Sequence, residues 1–272
     1  MNNELDLIGK GRMADVYVLC DGRILKLNRA IYPAIVAEKE YAASKAAQNA
    51  GVPVPAVYEL VEREGRFGIV FERISGGSLL DQIKSNPLGL ASSAKSLAEL
   101  HVRMHACRLP VGLVSQKEQI RNGIEAAQGI TDAERTTVLC YLKELPDGNR
   151  LCHGDFHPDN ILLSDRGPLI IDWMTGTRGD PAADVCRTLL ILETSFLPPQ
   201  TPIHIRLLHE VSRSWINTTY LKRYLQLNPS VKKQIARWRL PLLAARIREV
   251  EAYPNEKAMI LNKMRALLKD FV

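Results

Sequence analysis

The stretch that most constrains this chain is LCHGDFHPDNILL, Leu151 to Leu163, which crowds His153, Asp155, His157, Asp159 and Asn160 into eight positions between apolar flanks. A polar turn between two buried elements would by itself account for that pattern. The sequence just downstream narrows the reading. Leu169, Ile170 and Ile171 read as a short buried strand, and Asp172 stands at its end. A carboxylate there, beside the loop that holds Asn160, can share a divalent cation. Mg2+ is a hard ion that takes oxygen donors and usually keeps ligand phosphates and water as well. Asp155 lies five residues before Asn160 and has no metal duty. It is therefore available to orient or deprotonate an attacking hydroxyl.

Roughly residues 5–71 read as strand-rich. DVYVLC and RILKLN are separated by Asp21-Gly22, a hairpin signal, and AVYELVE and RFGIVFE form a second pair about Glu64-Gly65. The Ala-rich AIVAEKEYAASKAAQNAG between the pairs favours helix with Gly51 as its stop, and VPVP then forces extended chain. LIGKGRMADVYVL carries Gly9 and Gly11, followed by Ala14 and Val16, in a strand-turn-strand setting. There the glycines would serve a bare loop whose N–H groups approach phosphate oxygens, and the hairpin context points away from a dinucleotide fold. Lys26 projects to the face opposite Leu25 and Leu27. It is either an outward, solvated lysine or, one hairpin after the glycine loop, a group placed to reach a nucleotide's phosphates. A lysine so used needs an acid to hold it, and the following helix offers Glu38 and Glu40.

From about Ser78 the texture turns helical. SAKSLAELHVRMHA places Leu97, Leu100, His101, Met104 and His105 at helical spacing, a core face. His101 and His105 stand one turn apart and could ligate a metal, but the sequence puts no third ligand near them. TDAERTTVLCYLKEL opens on a capping box, Thr131 and Glu134. A long helix is expected from Thr201 as N-cap with Pro202 at its first position, and two more over about 231–252 and 255–268. This organisation predicts a small sheet-bearing lobe over residues 1–74, with a connector near 72–78, and a larger helical lobe over 75–272. The five cysteines are scattered without a C-x-x-C pair, which fits buried thiols in a reducing compartment. No leader pattern or membrane-length apolar run is present, so a cytoplasmic location is expected. The net charge of +6 is dispersed, with a mild concentration from Lys222 to Lys269, and lacks interleaved aromatics. Neither nucleic acid nor a membrane is expected as partner.

HGDFHPDN followed by IIDW resembles the signature of the aminoglycoside phosphotransferase family, which shares the protein-kinase fold with the choline kinases. In protein kinases the loop reads H-R-D-x-x-x-x-N and is followed by D-F-G. Glycine loop, strand lysine, helix glutamate, catalytic loop and metal aspartate occur here in the same order, so the resemblance covers most of the chain. It implies an α+β, bilobal protein-kinase-like fold, with a small N-lobe of antiparallel sheet plus one helix and a larger, mostly helical C-lobe. It further implies that Gly9, Gly11 and Ala14 cover the phosphates of ATP or GTP, with Val16 beside them; Ala14 departs from the third glycine of many kinases. Lys26 would contact the α- and β-phosphates. Glu40, eleven residues before Gly51, is its implied partner in preference to Glu38. Phe71, Glu72 and Ile74 would form the hinge that holds the adenine. Asp155 is the implied catalytic base, and Asn160 and Asp172 the implied ligands of Mg2+. His157 stands where protein kinases place a lysine and would help near the transferred phosphate. Asp184 in DPAADV would brace the catalytic loop rather than meet substrate.

The departures carry information too. Gly154 replaces the arginine of H-R-D, only eleven residues separate Asp172 from Asp184, and no A-P-E follows. That leaves no room for a long segment that presents a peptide, so Thr175 and Thr177 are expected to be turn residues rather than phosphosites. The expected function is transfer of a nucleotide's γ-phosphate to a hydroxyl of a small molecule, with Asp155 and Asp172 exposed. A protein kinase, or a catalytically inactive regulator of the same fold, are the alternatives. Glu193, Glu249 and Glu251 are available for an acidic acceptor pocket but are ordinary in context; choline, a sugar, an amino alcohol and a macrolide stay open as acceptors.

Overall fold

The computed structural model describes residues 6–109, 112–194 and 202–269, except for the side chains of 204–209. The chain opens with strands β1 (Asp6–Lys10), β2 (Ala14–Val18) and β3 (Ile24–Asn28), helix α1 (Ala34–Asn49), and strands β4 (Val57–Arg63) and β5 (Arg66–Phe71). Helices α2 (Leu79–Ser85), α3 (Leu90–Ala106), α4 (Gln116–Ala126) and α5 (Asp132–Glu144) follow. Four short strands come next: β6 (Arg150–Cys152), β7 (Ile161–Ser164), β8 (Gly167–Ile170) and β9 (Thr177–Gly179). The chain then continues as α6 (Pro181–Thr194), α7 (Ile203–Leu227), α8 (Lys232–Ile235), α9 (Arg239–Glu249) and α10 (Pro254–Leu268). It divides into two compact units. One gathers the chain up to Ser85 together with Pro158–Gly176; the other holds the helices from α3 onward with β6 and β9.

The first unit is built on an antiparallel sheet in the order β1-β2-β3-β5-β4. Leu25, Leu27 and Val70 are buried on one face, with Tyr17, Leu19 and Val61 packed against them. Its two expected hairpins differ in kind. Glu64 and Gly65 both take positive φ, 53° and 71°, the two-residue turn whose twist suits flanking strands. Between β2 and β3 only Gly22 is left-handed, at 84°. There the N–H of Leu19 donates to Arg23 and that of Gly22 to Leu19. This is a longer loop closed by a glycine bulge in place of a tight Asp21-Gly22 turn. Gly51, φ 74°, ends α1, and the N–H groups of Gly51 and Val52 return to the carbonyls of Gln48 and Ala47.

In the second unit Leu97, Leu100 and Met104 of α3 are buried, and the capping box closes both ways: Glu134 N–H donates to Thr131 Oγ1, and Thr131 N–H to the Glu134 carboxylate. Thr201 lies outside the described residues, and Pro202 precedes α7 instead of opening it. The single helix expected over 231–252 is broken into α8, a 3₁₀ turn at Ala236–Trp238, and α9. Pro241 is the reason: it has no N–H to give back to residue 237, and a fresh start at Arg239 puts it in a first turn, where none is needed. Thr175 does lie in a turn, Trp173–Thr175. Thr177 does not, because it opens β9 opposite Cys152 and is 1% exposed. None of the five cysteines is in a disulfide; Cys20 and Cys140 are exposed, and Cys152 and Cys186 are buried. Burial pushes the Cys186 thiol up to about 12. No described helix is long and apolar enough to cross a membrane.

Candidate active site

In the first unit β7 starts directly after Asn160, and β8 ends two residues before Asp172. Ile161 pairs with Ile170, and the Ile171 N–H donates to the Asn160 carbonyl at 3.0 Å. Asn160 and Asp172 therefore stand side by side at the open end of one hairpin. Asp172 takes a left-handed backbone, φ 63° and ψ 66°, a strained conformation that aspartate tolerates better than most residues. Asn160 is buried, and the Asp172 side chain is half-buried at 34% exposure, not open to solvent as expected.

Lys26 is not the outward, solvated lysine. From the middle of β3 its Nζ reaches Glu40 Oε1 at 2.7 Å and Asp172 Oδ1 at 2.8 Å. Burial opposes the ammonium charge, but the two carboxylates outweigh it and hold Lys26 above its ordinary range. Glu40 is buried on α1, and Glu38, two residues earlier, is exposed. Burial, aided by Asp172, raises the Glu40 carboxyl, and only Lys26 pulls it back. Two carboxylates thus share one cation, beside an amide at the same hairpin end. That surplus of oxygen donors and negative charge fits a hard divalent ion carrying phosphate.

Gly9 pairs with Val16 across β1 and β2, and the Gly11 N–H donates to the Ala14 carbonyl at 2.8 Å. A Cβ on Gly11 would sit 3.0 Å from that oxygen, so the glycine here answers a close approach. Ala14 is buried, and Arg29 holds the Gly11 carbonyl at 2.9 Å. Phe71 ends β5, and Glu72 and Ile74 follow it outside any strand or helix. The Glu72 carboxylate accepts from Ala56 N–H at 3.0 Å and from Arg166 at 2.6 Å, so it is occupied within the first unit.

In the second unit β6 feeds the loop that carries His153, Gly154, Asp155 and His157. Gly154 takes φ 77°, which accounts for glycine where protein kinases carry arginine. Asp184 is wholly buried, and it accepts the N–H of His153 on Oδ2 at 2.7 Å and that of Gly154 on Oδ1 at 2.8 Å. The Nε2 atoms of His101 and His105 both lie 3.1 Å from Asp184 Oδ2. An ionised carboxylate only accepts, so each histidine carries its proton on Nε2. Each Nδ1 then accepts from a tyrosine hydroxyl, Tyr220 at 2.6 Å for His101 and Tyr224 at 2.7 Å for His105. Burial, with the neighbouring His105, pushes His101 down to about 3. Burial opposes the Asp184 charge as well, but the two histidine hydrogen bonds hold that carboxyl well below its usual range. Asp184 is thus the third potential ligand that the sequence did not place, with its oxygen and both ring nitrogens within 4.8 Å of one another. Because every one of these atoms is already hydrogen-bonded, the cluster acts as a brace on the loop.

Asp155 is 38% exposed in its side chain, half-buried where full exposure was expected, and its Oδ2 lies 3.5 Å from His157 Nε2. Burial opposes its ionisation, but the His157 hydrogen bond and charge, with Arg187 and His153, hold it well below the ordinary carboxylate range. Arg187, on α6, was not singled out in the sequence; an arginine one turn after Asp184 inside VCRTLLIL was the available signal. Glu193 is paired with Arg239 and Lys263, Glu249 with Arg187 and Arg246, and Glu251 with Lys257.

A sheet bearing a lysine–glutamate pair and a helical unit carrying an H-G-D loop define a protein of the kinase-like fold. Solved structures similar to this chain have that fold. Aminoglycoside phosphotransferase APH(4)-Ia matches at 16% identity and a TM-score of 0.68, covering 98% of this chain and 93% of that one. Amicoumacin kinase hAmiN matches at 15% and 0.63, over 100% and 90%. A choline/ethanolamine kinase family protein from Mesorhizobium loti matches at 16% and 0.61, over 98% and 88%. The chain belongs to the phosphotransferase enzyme family (APH), whose profile matches residues 4–215. Among curated proteins, acyl-CoA dehydrogenase family member 10 of Mus musculus is 28% identical over 191 residues, 61% of this chain. The chain spans 17% of that protein's length.

Proposed function

We propose that this chain transfers the γ-phosphate of ATP or GTP to a hydroxyl of a small molecule. The observation that carries the reading is Lys26, held by Glu40 and Asp172, with Asn160 at the same hairpin end. In this reading Lys26 meets the α- and β-phosphates, and the glycine hairpin, Val16 and the hinge at Phe71, Glu72 and Ile74 hold the rest of the nucleotide. Asn160 and Asp172 would hold Mg2+, which supplies charge neutralisation on the phosphates. Asp155, ionised and half-buried, orients the acceptor hydroxyl and takes its proton, and His157 stands beside it. Relatives of the fold support a nucleotide plus a small molecule: APH(4)-Ia was solved with ADP or AMP-PNP and hygromycin B, and hAmiN with AMP-PNP, Ca2+ and Ami.

A coupled nucleotide-consumption screen against hydroxyl-bearing antibiotics, sugars and amino alcohols tests the proposal. At least one acceptor is expected to raise consumption in a Mg2+-dependent way, and Asp155→Asn to abolish the increase. Acceptor-driven turnover that persists in Asp155→Asn would sink it.

A further inference from the structure

Arg187 has so far entered as one of the charges that lower the Asp155 carboxyl. Its side chain is 13% exposed, and Cys186, Thr188 and Leu190 around it on α6 are buried. Burial opposes its charge, and Glu249 is the main group that restores it. An arginine taken from water into such a place is costly unless its donors are used. The donors are used on two specific targets. Nε donates to the carbonyl of Gly154, the residue just before Asp155, and Nη1 pairs with Glu249 Oε1 at 2.8 Å. Glu249 Oε2 in turn meets Arg246 Nη1 at 3.4 Å, and Arg246 Nη2 meets Glu256 at 3.1 Å. A continuous ionic chain therefore runs from the loop of Asp155 through the end of α9 to the start of α10.

Gly154 is held from both sides, its N–H by Asp184 and its carbonyl by Arg187, in a left-handed conformation. With both polar groups pinned, the peptide into Asp155 cannot rotate, and the direction in which the Asp155 side chain leaves the backbone is set. Asp184 provides one of those pins; the peptide into Asp155 is also held at its N–H, which donates to His153 Nδ1 at 3.2 Å, and among the described residues Arg187 alone holds its carbonyl.

We propose that Arg187, anchored by Glu249, is a positioning residue that aims the Asp155 carboxylate at the acceptor hydroxyl. The inference rests on the phosphotransfer reading of Asp155. A misplacement of about 1 Å at a reacting group costs on the order of a hundred-fold in rate, so loss of this pin is read in kcat. Nucleotide affinity belongs to residues of the first unit and is left alone.

The test uses the full chain with Mg2+-ATP, water as acceptor, and ATP consumption as readout, so it needs no knowledge of the natural acceptor. Arg187→Gln is expected to lower kcat on the order of a hundred-fold with the KM for ATP within about twofold. Glu249→Gln, which weakens the anchor, is expected to lower kcat roughly tenfold. Arg187→Lys keeps a cation for Glu249 and is expected to recover part of the Arg187→Gln loss. An arginine that only stabilised the fold would lower the melting temperature and leave the kcat of the folded fraction unchanged. Unchanged kcat in Arg187→Gln overturns the inference; should that variant not fold, unchanged kcat in both Arg187→Lys and Glu249→Gln overturns it. Asp155→Asn runs alongside. If it matches wild type, the phosphotransfer reading itself falls. If it is inactive while the Arg187 and Glu249 variants are unimpaired, only the role of Arg187 falls.

Discussion

Asp172 combines a left-handed backbone with a share in Lys26, so the side chain that replaces it decides what is lost. Asn accepts that conformation and removes only the charge; Ala removes the charge and adds about 1–3 kcal/mol of backbone strain. Asp172→Asn should lose at least about a hundred-fold in ATP turnover at nearly native stability. Asp172→Ala should lose the same activity and unfold at lower urea concentration; full turnover in either removes Asp172 from the chemistry. Asp155 titrates below the ordinary carboxylate range, so the acid limb of the rate profile should lie below about pH 4, leaving turnover flat from pH 8 to 6. His157 is the strongest of the groups that lower it, and His157→Gln should move that limb upward, as a pH–rate profile would show. At this scale the sequence was most legible in the choice of Glu40 over Glu38 as the partner of Lys26 and in the hairpin that brings Asn160 beside Asp172. It was least legible where one element answers another across the chain. Tyr220 and Tyr224 stand one turn apart, as His101 and His105 do, and each tyrosine lies 119 residues after the histidine it serves. Within α7 alone, nothing distinguishes those tyrosines from ordinary core residues.

Gly176 shows how an element's packing reaches the Lys26–Glu40 pair. A Cβ there would come within 2.7 Å of the Ala43 Cβ on α1 and 2.9 Å of the Trp173 carbonyl. Ala43 is three residues after Glu40, on the same face of the helix. Gly176→Ala should push α1 off the turn that follows Asp172 and draw Glu40 away from Lys26, at about 1–3 kcal/mol of overpacking. A several-fold weaker ATP affinity by calorimetry is expected; unchanged affinity would show that the turn yields and α1 does not. The long elements were readable because α1 and α3 run far enough to display their periods and stops. Strands β6 and β9 have three residues each, too few for alternation to register, and Pro241 split a pattern that hydrophobic spacing alone had joined.

For the molecule as a whole, acid stability turns on the buried carboxylate between two histidines. His101 titrates at about 3 when folded, below the histidine value of roughly 6.5 in an unfolded chain. The unfolded state therefore binds a proton that the folded state refuses. The stability this group contributes is complete above about pH 6.5 and is lost as pH falls, at about 1.4 kcal/mol per pH unit. Asp184, also depressed, adds a loss of the same sign below about pH 4. The urea midpoint should decline from pH 7 to 5 and more steeply below 4; a flat curve would mean that His101 accepts a proton in place. One more consequence comes from the thiols. Cys20 belongs to the first unit and Cys140 to the second, and both face solvent, while Cys152 and Cys186 are sealed in. Maleimide would react first at those two positions, one on each unit, and more slowly at the half-buried Cys107.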